Sequence, residues 1–105
     1  MKIIYIIGEM CIAKADERIR KERDVSLNLS DLGWCPITKQ LRIDLFHEVH
    51  SFEAWQECKK ELLKRSDAVF ALDNFRASDA AMERITEALY LGKTVYYQTN
   101  GYPKP

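Results

Sequence analysis

The residues best placed to do chemistry fall into two stretches. One is Gly8-Glu9-Met10-Cys11, directly after an apolar run; the other runs from Asp73 through Phe75 and Ser78 to Glu83, Arg84 and Glu87. Carboxylates at Asp73, Glu83 and Glu87 can orient a polar substrate or supply a proton. A guanidinium at Arg84 can hold a phosphate or carboxylate through paired N–H donors, and near a helix N-terminus it adds to an existing preference for anions. Met10 and Phe75 offer a thioether and a ring suited to a flat base; packing explains Met10 better and Phe75 equally well. Cys11 has the chemistry of a nucleophile, but no histidine is placed by sequence to activate it, so an inert thiol is expected. His47 and His50 form an HxxH pair beside Asp44 and Glu48. Without a third ligand of clear spacing they read as surface histidines, and no metal or other cofactor is expected.

The elements that must position these residues are written in the hydrophobic pattern. Residues 2–7 form a near-continuous apolar run ending at Gly8, as a central strand buried on both faces does. Residues 14–32 are rich in helix formers, with Ala15, Ile19, Val25, Leu29 and Leu32 as apolar positions, Ser26 as a point where the helix could break, and Gly33 as its C-terminal cap. Residues 34–37 give a short strand that Pro36 confines to an edge. Residues 38–50 lack periodicity and read as a loop. Ser51 caps a helix reaching Arg65, whose stripe is Phe52, Trp55, Cys58 or Lys59, and Leu62, with Leu63 beside it; Trp55 is assigned to core or interface. Residues 68–72 make a third strand. Ser78 caps a third helix over residues 79–91 with Met82, Ile85 and Ala88 or Leu89 inward, Gly92 ends it, and residues 94–97 make a fourth strand. Tyr96, Tyr97 and Tyr102 suit either a dimer surface or packing at the strand ends.

This alternation implies a parallel sheet of four to five strands with helices on both faces, a flavodoxin-like or Rossmann-like α/β domain spanning residues 1–105. Its switch point lies between the first and third strands, so the two reactive stretches flank one crevice.

Composition narrows the function. The 105 residues carry 16 Lys plus Arg and 16 Asp plus Glu. A net charge of zero speaks against binding a nucleic acid polymer through its backbone. Arg18, Arg20, Lys21 and Arg23 crowd one segment, but Asp16, Glu17, Glu22 and Asp24 interleave them, the pattern of a solvated helix face. Three separated cysteines without a CxxC pair indicate neither a disulfide framework nor a zinc knuckle. The N-terminal apolar run is too short for a signal peptide or a membrane span, so a cytoplasmic protein with no membrane partner is expected.

With the two strand exits named, the chain resembles the nucleoside 2-deoxyribosyltransferase-like superfamily, especially its short bacterial and phage members. The likeness rests on Ile4-Tyr5-Ile6-Ile7-Gly8, on Trp55 to Asp67 running into Leu-Leu-Lys-Arg-Ser-Asp-Ala-Val, and on Ser78 to Gly92 as the ligand helix. The resemblance implies that Tyr5 and Gly8 line a sugar pocket, that Asp73 contacts the nucleoside and that Ser78 is the polar residue preceding the ligand helix. It also implies a glutamate nucleophile in that helix, and here the chain departs from the pattern. Aligning Ala88 with the family's small helix residue puts Arg84 at the nucleophile position, Ala80 replaces a glycine, and Glu9 stands where proline is usual.

Displacing a base from deoxyribose needs a carboxylate to attack or stabilise the anomeric carbon and a proton source for the base. A guanidinium stays protonated and cannot attack. The expectation is therefore a homo-oligomeric binder of a nucleoside or nucleotide, with Gly8, Glu9, Met10, Asp73, Phe75, Ser78 and Arg84 around the ligand, as in sequestering a nucleotide signal. The alternative is an active N-glycosidase or deoxyribosyltransferase using Glu83 or Glu87 with Asp73 and Tyr5.

Overall fold

A computed structural model of the chain describes residues 1–9, 15–38 and 52–105. In chain order these form β1 (Ile3–Ile7), α1 (Ala15–Asp31), β2 (Cys35–Ile37), α2 (Phe52–Arg65), β3 (Ala68–Ala71), α3 (Asp79–Tyr90) and β4 (Thr94–Tyr97), with single 3-10 turns at Phe75–Ala77 and Gln98–Asn100. Met10, Cys11, Asp44, His47, Glu48, His50 and Ser51 lie outside the described residues.

The four strands form one parallel sheet in the order β2-β1-β3-β4. β1 therefore sits centrally, and Ile4 to Ile7 are buried on both of its faces, which is why it reads as an unbroken apolar run. Its register against β3 pairs Ile4 with Ala68 and Ile7 with Ala71. Pro36 lies on β2, the edge strand, where a missing N–H costs least.

The period of two along the strands divides the core in two. Ile4, Ile6, Ala68, Phe70 and Leu72 face α1, meeting Val25, Leu29 and Trp34. Tyr5, Ile7, Val69 and Ala71 face the other way, meeting Leu63 of α2 and Ala81, Ile85 and Ala88 of α3.

Several helix positions differ from the sequence expectation. α1 runs unbroken through Ser26, whose hydroxyl donates to the Glu22 carbonyl at 2.7 Å and so stays within the helical ladder. Its inward row passes through Glu22, Val25 and Leu29, leaving Ile19 exposed and Glu22 only 1% exposed, so Glu22 does not belong to a solvated face. In α2 the same logic selects Lys59 over Cys58 as the inward residue, one turn before Leu63. In α3 Met82 and Leu89 are exposed, because the row turned to the sheet is Ala81, Ile85 and Ala88 and a neighbour in sequence is rotated by about 100°.

The three tyrosines pack at the strand ends. Tyr96 meets Trp34 edge-on at 6.1 Å, Tyr97 lies 5.6 Å from Phe75, and Tyr102 stacks on Phe70 at 5.4 Å. The tail is fixed further by Trp34, whose indole N–H donates to the Pro103 carbonyl at 2.8 Å. Among the described residues, no helix is long and apolar enough to cross a membrane.

Candidate functional site

The exits of β1 and β3 are held side by side by short-range polar and steric contacts. Asn74 accepts the Glu9 backbone N–H through its side-chain oxygen at 3.0 Å. Gly8 lies so close to Leu72 that a Cβ would stand 2.6 Å from the Leu72 Cδ1, so any larger residue there would have to displace the buried Leu72 side chain between the exits.

Beside this junction, between β1, α2 and α3, is a cavity of about 270 Å³. β1 contributes Tyr5 to Gly8 and α2 contributes Gln56, Lys59 and Lys60. From α3 come Ala80, Ala81, Glu83, Arg84 and Glu87. Three cations thus face two carboxylates across one small space.

Arg84 is central to it. Its side chain is 15% exposed, and its guanidinium donates to Glu87 Oε2 at 2.8 Å and to Gln56 Oε1 at 3.3 Å, tying α3 to α2. These bonds engage two of the five guanidinium N–H donors. Lys59, at 6% exposure, is the most deeply placed cation of the wall. Burial, and then the Arg84 charge, hold its pKa below the usual lysine range.

Tyr5 has its phenol pKa pushed up to about 12, chiefly by burial. The Arg84 charge opposes that rise, while the Glu22 and Glu87 carboxylates add to it. At neutral pH the phenol is therefore a hydrogen-bond donor and not a base.

The sequence-derived candidates divide between two places. Tyr5, Gly8, Glu83 and Arg84 line the cavity. Glu9 stands at the β1 exit, joined through its backbone to Asn74. Ser78 caps α3 and its hydroxyl oxygen accepts the Ala81 N–H at 3.3 Å. Phe75 packs against Tyr97 with the Arg76 guanidinium 5.3 Å over its ring. Asp73 turns to the α1 side, where its carboxylate pairs with Lys21 and its backbone N–H donates to Gln98 Oε1 at 3.0 Å. Lys21 is therefore more than a member of a solvated stripe.

Sequence reasoning did not select Gln56, Lys59 or Lys60 as site residues. The available signal was Lys59, a charged residue on the inward row of an amphipathic helix. Among the described residues, no group of three or more His, Cys, Asp or Glu side chains is arranged to hold a metal ion.

The parallel 2-1-3-4 sheet with helices on both faces is a flavodoxin-like α/β fold, and a structural match makes that fold nucleoside 2-deoxyribosyltransferase-like. Among solved structures the chain superposes on the 2-deoxyribosyltransferase of the psychrotolerant bacterium Bacillus psychrosaccharolyticus with a TM-score of 0.71. The match covers 90% of this chain and 70% of that one at 22% sequence identity. That enzyme is described as a biocatalyst for the synthesis of antiviral and antitumoral nucleosides. No family model and no curated protein sequence matches the chain.

Proposed function

We propose that the protein binds a nucleoside or nucleotide in the cavity between β1, α2 and α3 and holds it without cleaving it. The observation that carries this reading is Arg84, a permanent cation fixed by Glu87 and Gln56 in the cavity wall. In the resemblance stated above, this position belongs to the attacking glutamate. A guanidinium cannot attack an anomeric carbon, and it would repel the positive charge that develops there as the base departs. It suits an anionic group in the ground state instead, since charge-assisted bonds in a site largely removed from water are strong and geometrically specific. Glu87 is a poor substitute for the missing nucleophile while its carboxylate is engaged by Arg84. Gly8 and the neutral Tyr5 phenol offer a small backbone wall and a donor for the sugar.

Glu83 supports a second reading. It lines the same cavity and carries a carboxylate, so N-glycosidic cleavage, with Glu83 attacking or activating water, is the alternative. Asp73 would join either reading only after leaving Lys21. Sequestration of a nucleotide signal is a part of the proposal that rests on the resemblance, and assembly into a homo-oligomer is a part that rests on the size of the domain, since 105 residues leave no lid of their own over a deep pocket.

The experiment is incubation of the protein with a panel of deoxynucleosides and deoxynucleotides, followed both by thermal unfolding and by chromatography for free base. Ligand at about 100 times its dissociation constant adds roughly 2.7 kcal/mol, enough to raise the Tm of a domain this size by on the order of 10 °C. The expected result is such a rise with no base released. Release of base selects the Glu83 reading, and a flat Tm across the panel removes both.

A further inference from the structure

We propose that two copies of the chain pair about a two-fold axis along the outer edge of β4, joining their sheets antiparallel and seating Tyr90 of each copy in a hollow on α3 of the other. The pairing gives the homo-oligomer named above a surface, and it stands on observations separate from the ligand reading.

The two edges of the sheet are built differently. β2 carries Pro36, one of the devices that keep an edge from recruiting another strand. β4 carries Thr94, Val95, Tyr96 and Tyr97, all strand formers, and no charged residue occurs from Thr94 to Pro103 in a chain that is 30% charged. Among the described residues β4 pairs with β3 alone. The tail beyond it turns to the α1 face, where Tyr102 stacks on Phe70 and the Pro103 carbonyl accepts from Trp34. Alternate residues of β4 turn their N–H and C=O away from β3, a row that fits a further strand.

α3 carries the matching feature in the layer above. α2 packs on β1 and α3 on β4, and Arg84 faces Gln56 of α2. Rotation by about 100° per residue puts Met82, Thr86 and Leu89 on the opposite flank, overhanging the β4 edge. Met82 and Leu89 are exposed there, and Tyr90 beside them is 92% exposed. About two turns toward the N-terminus lies a shallow hollow between Asp79, Met82, Glu83 and Thr86, which Tyr90 of the same helix does not fill. Knob and hole on one helix are joined only by a second molecule.

That molecule is a second copy because the surface complements itself. Antiparallel β4 strands stand about 4.8 Å apart, which brings the α3 helices above them side by side at the roughly 8–10 Å of packed helices. Turned about Thr86, Tyr90 of one copy meets the hollow of the other, and the two-fold makes the contact twice. The Asp79 and Glu83 carboxylates at that hollow can accept from the phenol hydroxyl. A two-fold axis sets each charge near it against its own copy, and here Met82, Thr86, Leu89 and the β4 residues are all uncharged. The ends match in sign: Asp79 of one α3 lies toward the end of the other that carries Lys93, a cation held there by its bond to the Lys64 carbonyl at 2.7 Å. The cavity lies on the Arg84 flank, outside the interface.

Sedimentation velocity of the full chain over about 1–100 µM measures the pairing. A species of twice 12.3 kDa is expected to dominate at the upper end. Tyr90→Ala should leave the Tm at the lower end unchanged and weaken the dimer by about tenfold or more. Thr86→Glu and Thr86→Lys each set like charges across the axis and should be monomeric alone, while their equimolar mixture recovers the dimer. Ile19→Glu, at an exposed apolar position of α1, should keep the wild-type dimer. The β4 amides directed away from β3 should exchange hydrogen faster in Thr86→Glu than in the wild type at equal concentration. A wild type that is monomeric throughout overturns the proposal. So does a dimer that survives Tyr90→Ala and Thr86→Glu unweakened, a mixture of the Thr86 variants that stays monomeric, or β4 amides equally protected in dimer and monomer. If Thr86→Glu loses the fold, Tyr90→Ala decides alone. Nucleotide affinity is not among these readouts, so the ligand reading stands or falls separately.

Discussion

The two faces of the sheet treat their charged residues differently. On the α1 face, Asp73 at the β3 exit is paired with Lys21 and held through its backbone by Gln98, while the tail lays Tyr102 on Phe70 and Pro103 on Trp34. On the α2–α3 face, Lys59, Arg84, Glu83 and Glu87 surround open space. The same switch point thus has one side closed over by the tail and one side opening on a cavity whose wall is tied together by Arg84, Glu87 and Gln56. Charges joined at the surface, as Lys21 and Asp73 are, contribute little to stability, whereas removing one member of a more enclosed pair, as Arg84 and Glu87 are, leaves the other poorly solvated and costs more.

The sharpest way to break this comparison is at Arg84. Arg84→Glu exchanges the central cation for a carboxylate, removing charge-assisted bonds worth about 1.5–3 kcal/mol each and adding repulsion toward an anion. Affinity for a 5′-monophosphate is expected to fall by on the order of 100-fold or more, measured by calorimetry. Unchanged affinity would place the anion elsewhere. The same variant carries a carboxylate where the resemblance puts the nucleophile, so base release by Arg84→Glu, absent from the wild type, would tie the lost chemistry to this one position.

A second effect, of roughly 2–3 kcal/mol, concerns Tyr5. Its folded-state pKa of about 12 lies above the ordinary phenol value of 10.0. The neutral phenol's contribution is therefore complete below pH 10 and is lost as the pH climbs toward 12, because the unfolded chain ionises first. Urea unfolding of the wild type and of Tyr5→Phe at about pH 9 and about pH 11.5 isolates this loss, since all other groups are common to both. The wild type should lose some 2 kcal/mol more than the variant over that interval. Equal losses would mean that the cavity is wet enough to solvate the phenolate.

Much of the scaffold is legible in the sequence because burial on both faces leaves no alternation to misread. β1 and β3 stand out as apolar runs, Ser78 and Gly33 mark helix ends, and Pro36 marks an edge. Rotation of the helices about their axes is less legible. One position separates Met82 from Ala81 and Cys58 from Lys59, and small residues turned inward on α3 look weaker than the methionine beside them. That single step hid Lys59, a lysine on the inward row that lines the cavity. The division of the site was hidden for another reason: Lys21 and Asp73 are 52 residues apart, and nothing local to either announces the partner. Arg84, by contrast, stands out in the sequence because the resemblance implies a glutamate there, and the structure adds the two bonds that hold it in the cavity wall.

The smallest expected effect tests the quiet side of the comparison. Lys21 and Asp73 are 31% and 49% exposed, so water and salt screen their attraction, and holding a long lysine side chain in place costs entropy. Lys21→Met should change stability by less than about 1 kcal/mol. If the α1 face is only scaffolding, the variant also keeps the wild-type ratio of monophosphate to nucleoside affinity. A change in that ratio would mean that Asp73, once released from Lys21, reaches the ligand, and the nucleoside contact implied for it by the resemblance would then belong to a rearranged state of the β3 exit. Measuring the variant at low and at high salt separates the two cases: a purely local ion pair loses its small stabilising effect as salt rises, while a freed carboxylate acting on the ligand changes affinity even where the pair itself is already screened.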